Sequence, residues 1–441
     1  MSIYMTSSDP VRLTRRGALA ALAVGAVGVT AAACSKSDNG GSTTGAAASK
    51  SAEPTAEISY LPKLDSDANP SPTAEFAVKV SKGQLNPDVK LTNARGNVVT
   101  GALSEDRSTY TVTEPLGYGG TYTWSGSATG EDRKVVPIEG TVTTLTPQEQ
   151  VNVVVNVADG QEVGIAAPLI LKFDSTVTDK KAVERALKVT TTPPTEGSWA
   201  WLPEDNGSRA HWRSKEYFAP GTKVSMKASL YGLDHGDGAY GAADVTSDFV
   251  IGRAQIVKAD ANSFKIDVMR GSDVLMTLPC SYGSGDLDRN VTRSGIHVVS
   301  EKYEDFAMSN PAAGYFNVRE RFAVRISNNG EFIHANPETI GVQGASNVTN
   351  GCINLSLDNA QQYFGVAVYG DPVEVTNTRI PLSEADGDIY DWTFSWDDWK
   401  SMSALEGEVV SSSAPATPSN APQLSGTPTS TPQPARQGQT G

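Results

Sequence analysis

The sequence predicts a mainly β chain: two consecutive sandwiches of short antiparallel strands, then a third strand-rich domain with a short helix. Three observations predict this. Apolar residues recur at every second position in short runs, and turn pairs such as Arg95-Gly96-Asn97 and Gly119-Gly120 separate those runs. The chain carries 41 Gly and 25 Pro among many Thr, Ser and Val, a composition of strands and turns rather than helical bundles. At 441 residues there is room for about three domains. A net charge of −14 removes any broad attraction to phosphate backbones and argues against a nucleic-acid partner. Three cysteines are too few for a disulfide-stapled scaffold.

The first element is an address. Residues 1–33 contain Thr14-Arg15-Arg16, an uncharged run of Ala, Val and Leu from Gly17, and a small-residue end at Ala31-Ala32-Ala33-Cys34. A basic start, a short apolar stretch and a small-residue cleavage point describe an export signal, here of twin-arginine type. The run is short for a spanning helix, which needs ~20 apolar residues. Ala-Ala-Ala-Cys resembles a bacterial lipobox, which makes Cys34 the expected lipidation site and membrane anchor. The expected location is the outer face of the cell membrane, reaching into the wall. Residues 34–57, rich in Ser, Gly, Ala and Thr, read as a flexible tether.

The strand-rich elements follow in order. Residues 58–148 alternate at Phe76, Val78 and Val80 and again at Thr121-Tyr122-Thr123-Trp124, giving the first sandwich. Residues 149–252 repeat the pattern at Val151, Val153 and Val155, with a short helix from Asp179 to Leu187. The two sandwiches are spacers. Residues 253–376 form the third domain, with strand candidates at 264–268, 274–276, 296–299, 322–326 and 331–333, a helix from Asp358 and a closing strand at 371–375. Residues 377–405 bring Trp392, Trp396 and Trp399 at helical spacing, expected to anchor a terminal helix against the third domain. Residues 406–441, with six prolines from Ser411 on, read as a disordered tail.

The chemistry gathers at Thr349-Asn350-Gly351-Cys352-Ile353-Asn354. A thiolate is the reactive form of cysteine, and a turn lined with backbone N–H groups before a helix favours it. Gly351 allows close approach of a substrate carbonyl, so the N–H groups around Cys352 are candidates for an oxyanion hole. A thiol nucleophile needs a base. Of the four histidines, His334 ends a strand that leads into the same loop, and 18 positions separate it from Cys352. A Cys–His dyad for acyl transfer is the natural reading.

The pattern His334-Ala335-Asn336, a loop, then Thr349-Asn350-Gly351-Cys352-Ile353-Asn354 resembles the YkuD-type L,D-transpeptidases of peptidoglycan cross-linking. The order of segments resembles the mycobacterial and related enzymes too, above all their lipoprotein branch: a signal, two immunoglobulin-like domains, the catalytic domain and a Trp-rich end. The resemblance implies that Cys352 is the nucleophile and His334 its base, oriented through the carbonyl of Ala335. It implies substrate contacts at Tyr315, Asn329, Gly330, Asn347 and Asn354, with no metal or organic cofactor. The implied partners are donor and acceptor stem peptides, and carbapenems as inhibitors. The implied reaction makes 3→3 meso-diaminopimelate cross-links and releases D-alanine. One residue departs: Asn350 stands where the family has His, and Asn donates a hydrogen bond but passes no proton. A slower enzyme, a wall-binding module whose catalysis has decayed, and a same-fold enzyme anchoring proteins to the wall all remain open on sequence alone.

Other residues carry blander expectations. Cys280 is a buried apolar residue, a disulfide to Cys352 being the lesser alternative. His297, between Ile296 and Val298, reads as half-exposed, and His211 as packing beside Trp212. Asp234, Asp237 and the Gly238 carbonyl gather oxygen atoms on a turn, a weak candidate for calcium beside the plainer reading of an acidic turn.

Overall fold

The computed structural model describes residues 55–406 except 65, 67, 312, 313, 387 and 388, together with strand Gln423–Ser425. The export signal, Cys34 and nearly all of the tether lie outside the described residues, as does the tail apart from that strand.

The chain is mainly β. Between Glu57 and Thr143 two antiparallel sheets face each other. One runs Glu57–Leu61, Ala77–Ser81, Thr109–Val112, Gly101–Leu103, and the other is built on the long strand Thr121–Gly130. Alternation there turns Tyr122 and Trp124 inward, and Trp124, 1% exposed, meets the edge of Tyr110 at 6.1 Å. Between Glu149 and Ile251 lie two larger sheets and a small three-stranded one, and they depart from the all-antiparallel expectation. Glu162–Val163 and the tail strand Gln423–Ser425 both add in parallel to Asp244–Ile251, and Glu149–Val151 adds in parallel to Ala239–Gly241. Parallel neighbours need a crossover rather than a tight turn, so local alternation does not announce them. The expectation of a wholly disordered tail is corrected by that one strand. Helix Lys180–Arg185 starts where Asp179 accepts the Ala182 N–H in its side chain.

The third domain wraps two sheets around one core. A five-stranded sheet orders Asp273–Pro279, Lys265–Arg270, Gln255–Asp260, Pro372–Thr376 and Gly295–Val298. A four-stranded sheet orders Glu301–Asn310, Tyr315–Arg325, Phe332–Ala335 and Ile353–Leu355. The first two strands of the latter make a long hairpin. Helix Leu357–Val366, capped by Ser356 on the Asn359 N–H, drops Ala360 and Tyr363 into the core beside Ile333, Val324 and Leu355.

The Trp-rich segment docks elsewhere than expected. Trp399 Nε1 donates to the Ser198 carbonyl at 3.0 Å, and Trp392 Nε1 to Ala166 O at 2.9 Å, both on the second sandwich. The cause is Arg213, a buried guanidinium on strand Arg209–Ser214, which lies 4.7, 5.3 and 4.8 Å from the rings of Trp392, Trp396 and Trp399. A desolvated cation favours aromatic faces, so three indoles cover the sandwich rather than the third domain. His211 is more than packing: it sits fully buried between Asp391 of the segment, at 3.1 Å, and Asp205, at 3.4 Å.

Candidate active site

His334 sits on strand Phe332–Ala335, whose four residues are all buried, which fixes the ring rigidly at 2% exposure. That strand pairs in parallel with Ile353–Leu355, His334 lying opposite Asn354. Side chains alternate along a strand, so Cys352, two residues before Asn354, faces the same side as His334. The sequence interval from His334 to Cys352 is thus the crossover that a parallel pair demands. Gly351 enters the nucleophile turn at φ +120°, a conformation that only glycine adopts readily.

The turn is braced from beneath. Buried Thr292 donates its hydroxyl to the Gly351 carbonyl at 2.7 Å and accepts the Gly283 N–H at 2.9 Å. Thr349 Oγ1 donates to Cys352 O at 2.6 Å and accepts the Gly351 N–H at 3.2 Å. The Cys352 sulfur lies 3.5 Å from the Gly330 carbonyl, and Cys352, like Phe306 and Tyr315, packs against the buried cluster of Tyr303, Met308, Ala323 and Phe332.

The His334 ring is held at one nitrogen by two acceptors. Nδ1 lies 2.9 Å from the Ala335 carbonyl and 3.1 Å from Glu320 Oε2, leaving Nε2 for the hydrogen bond with Cys352. Burial disfavours the imidazolium, but the sulfur of Cys352 and the carboxylate of Glu320 outweigh it and push His334 up to about 10. The Tyr315 phenol is raised by burial, with the Cys352 charge adding to it. The arrangement is a thiol, an imidazole and a carboxylate in series, suited to forming and resolving a thioester.

Residues 254–375 match the L,D-transpeptidase catalytic domain family, and residues 67–234 match the bacterial Ig domain. L,D-transpeptidase 5 of Mycobacterium tuberculosis is 59% identical over 359 residues, which cover 81% of this chain and 79% of the relative. L,D-transpeptidase 2 of the same species is 33% identical over 403 residues, 88% of this chain and 96% of the relative. The chain belongs to the L,D-transpeptidase family. An LD transpeptidase solved in complex with imipenem aligns with 52% of this chain and 100% of its own, at 31% identity and a TM-score of 0.44.

As an L,D-transpeptidase the chain is a cysteine-dependent acyltransferase. Cys280 and Cys352 are both free, so no disulfide joins them. Cys280 is fully buried and its thiol is pushed up to about 12 by burial, whereas Cys352 is partly exposed beside an imidazole.

The other sequence candidates fall into two groups. Tyr315, Gly330, Ala335 and Asn354 surround the dyad, and the buried Asn354 Oδ1 has no hydrogen-bond partner in the protein. Asn329 and Asn350 are exposed at the rim. Asn347 braces neighbouring loops: its side-chain carbonyl accepts the Tyr282 N–H at 3.0 Å and its amide donates to Ala261 O at 2.9 Å. The Gly351 N–H, expected in the oxyanion hole, is engaged by Thr349.

His297 is not half-exposed. It is fully buried, with Nε2 at 2.8 Å from Arg293 O and Nδ1 at 3.2 Å from Ile326 O. The calcium candidate gains no support. Asp234 Oδ1 accepts the Gly236 N–H, the Gly238 carbonyl accepts the Gln148 N–H, and among the described residues no three His, Cys, Asp or Glu cluster to hold a metal. Glu320 and Thr292 were missed by sequence reading. Glu320 carries no signal in the motif, since strand pairing alone brings it to His334.

Proposed function

We propose that the chain joins peptidoglycan stems through 3→3 meso-diaminopimelate cross-links, with Cys352 as nucleophile and His334 as its proton carrier. In the first step the Cys352 thiolate attacks the L-centre carbonyl of meso-diaminopimelate in a tetrapeptide stem. The new C–S bond forms, the C–N bond to D-alanine breaks, and His334 hands its proton to the departing amine. In the second step the side-chain amine of a neighbouring stem attacks the thioester and gives its proton to His334. The C–N bond forms, the C–S bond breaks, and the thiolate–imidazolium pair is restored.

The observation that carries this reading is the geometry of the pair: the His334 ring, held through Nδ1 by Ala335 O at 2.9 Å and Glu320 Oε2 at 3.1 Å, stands beside the Cys352 turn at the end of two parallel strands. Tyr315 is the substrate clamp, and Asn354 backs the site from the strand beside His334. Asn350 passes no proton, so acylation by carbapenems proceeds, but slowly. Cys34 carries the lipid, which places the enzyme on the outer face of the membrane with the sandwiches holding the site out in the wall.

The test is D-alanine release and dimer formation from purified disaccharide-tetrapeptide. Cys352→Ala is expected to abolish both, and His334→Ala to slow them by ~10²-fold or more. Undiminished release by Cys352→Ala would overturn the assignment.

A further inference from the structure

We propose that Glu320 is a positioning residue of the dyad, a carboxylate on the long hairpin that holds the His334 ring as the cation facing Cys352. The inference rests on the functional reading above and adds a third group to it.

The hairpin carries a run of charges that splits by direction. Arg319 and Arg321 reach Asp305 and Glu304, whose side chains are 38% and 70% exposed. Glu320, between those arginines, is 14% exposed and lies 3.1 Å from His334 Nδ1. Strand pairing explains the split. Arg321 lies opposite Ala335, so Glu320, its neighbour on the pleat, faces the same side as His334. Immediately beyond, the register jumps: Val324 lies opposite Ile333, leaving Phe322 and Ala323 together across from His334. Phe322 holds φ at +53°, left-handed for a bulky side chain, and its ring packs on Phe364 of the helix at 5.7 Å. Bulges of this kind re-aim side chains next to functional sites, and a left-handed aromatic is strained there unless packing holds it.

The groups that face the ring are few. Cys352 approaches from the nucleophile turn, Glu320 from the hairpin, and the Tyr315 phenol interacts with the charges of both. The Ala335 carbonyl alone fixes the tautomer. A carbonyl is neutral, however, and does little to favour imidazolium over imidazole. The carboxylate supplies that preference, because an opposite charge within hydrogen-bond distance in a dry setting favours the charged form. The ring then rests as the cation beside the Cys352 sulfur, with a proton to give to a departing amine. Since Tyr315 and Glu320 share one strand, any displacement of the hairpin removes the clamp and the carboxylate together.

The experiment is the pH dependence of iodoacetamide alkylation on the full chain, read at the Cys352 peptide by mass spectrometry. In the native protein the rate is expected to change where the imidazolium loses its proton, above the ordinary histidine range. Glu320→Gln keeps an acceptor for Nδ1–H but removes the charge. It is expected to move the limb at which the imidazolium loses its proton down by about one pH unit, since the carboxylate that favours the cation is gone. Glu320→Asp, which keeps the charge, is expected to bring the limb back toward its native place. A Glu320→Gln profile that coincides with the native one overturns the inference. So does a uniform loss of rate with an unmoved limb, which would mark a merely structural brace. Release of D-alanine by Cys352→Ala would sink the cross-linking reading instead, leaving the alkylation comparison to stand by itself.

Discussion

Two side chains reveal how much of this site is legible and how much is not. His334 and Cys352 are readable because the chemistry needs a strand end, a glycine turn and a thiol in sequence order, and all three lie in one continuous motif. Glu320 is invisible there, since Arg319-Glu320-Arg321 has the look of a solvated charge ladder and only antiparallel pairing with Ala335 turns its middle member inward. Asn347 is half legible: an amide near a nucleophile suggests substrate contact, and only the fold shows that both its ends hold backbone groups of neighbouring loops. Thr292 belongs with these hidden supports. Its hydroxyl, 1% exposed as a residue, joins the Gly351 carbonyl to the Gly283 N–H. Thr292→Val keeps the shape and strands both buried groups, each costing about 1–3 kcal/mol if no water reaches it. Thermal melts are expected to show a loss of about 2 kcal/mol or more. D-alanine release should fall by about tenfold, since small displacements of a nucleophile reduce rate steeply. Native stability in this variant would mean that the nucleophile turn holds its own conformation.

At the scale of elements, periodicity identifies the strands and helices but not the surfaces they cover. The helix expected from Asp358 is found at Leu357–Val366, because its serine cap and apolar spacing are local signals. The Trp-rich segment shows the limit. Its indole spacing announces a buried face, whereas the partner of that face is set by Arg213 and His211, far away in sequence. His211 makes the docking sensitive to pH. Burial opposes its charge, but Asp391 and Asp205 prevail and raise it to about 9 from the ordinary value near 6.5. A folded value raised above the unfolded one contributes stability fully below the unfolded value, and that stability fades as pH rises through the folded one. Hydrogen exchange or limited proteolysis is therefore expected to find the 390–405 segment well protected at pH 6 and increasingly open through pH 9. His211→Gln should release it at both ends of that range and flatten the profile. Equal protection of the native segment at pH 6 and pH 10 would show that the indoles alone hold it.

At the scale of the whole molecule, composition and strand spacing fixed the number of β-rich bodies but said nothing of their joints, which are made by backbone groups and single polar contacts. Between the two sandwiches Tyr118 donates to Gly241 O at 2.7 Å and accepts the Gly232 N–H at 2.9 Å, while Tyr231 donates to Leu116 O at 2.6 Å. Between the second sandwich and the catalytic domain, Gly164 N donates to Tyr369 O at 2.7 Å and Ala166 N to Gly370 O at 2.9 Å. The same joint holds Arg253, on the linker, in a two-pronged pair with Asp371 at 2.8 and 2.7 Å. Such contacts transmit position, so the spacers hold the dyad at a set distance and orientation rather than on a loose string. Gly164 is the test of that rigidity. A Cβ there would lie 2.3 Å from both Asp371 N and Gly370 C, backbone atoms that cannot rotate away. Gly164→Ala must therefore part the two strands of chain or distort them, at a cost of about 1–3 kcal/mol typical of overpacking. Calorimetry is expected to resolve the sandwich and catalytic transitions separately in the variant where the native chain melts together, while alkylation of Cys352, remote from the joint, keeps its native rate. A single unchanged melt would mean that the joint yields without loss, and that the position of the dyad relative to the sandwiches is set by something looser than these hydrogen bonds.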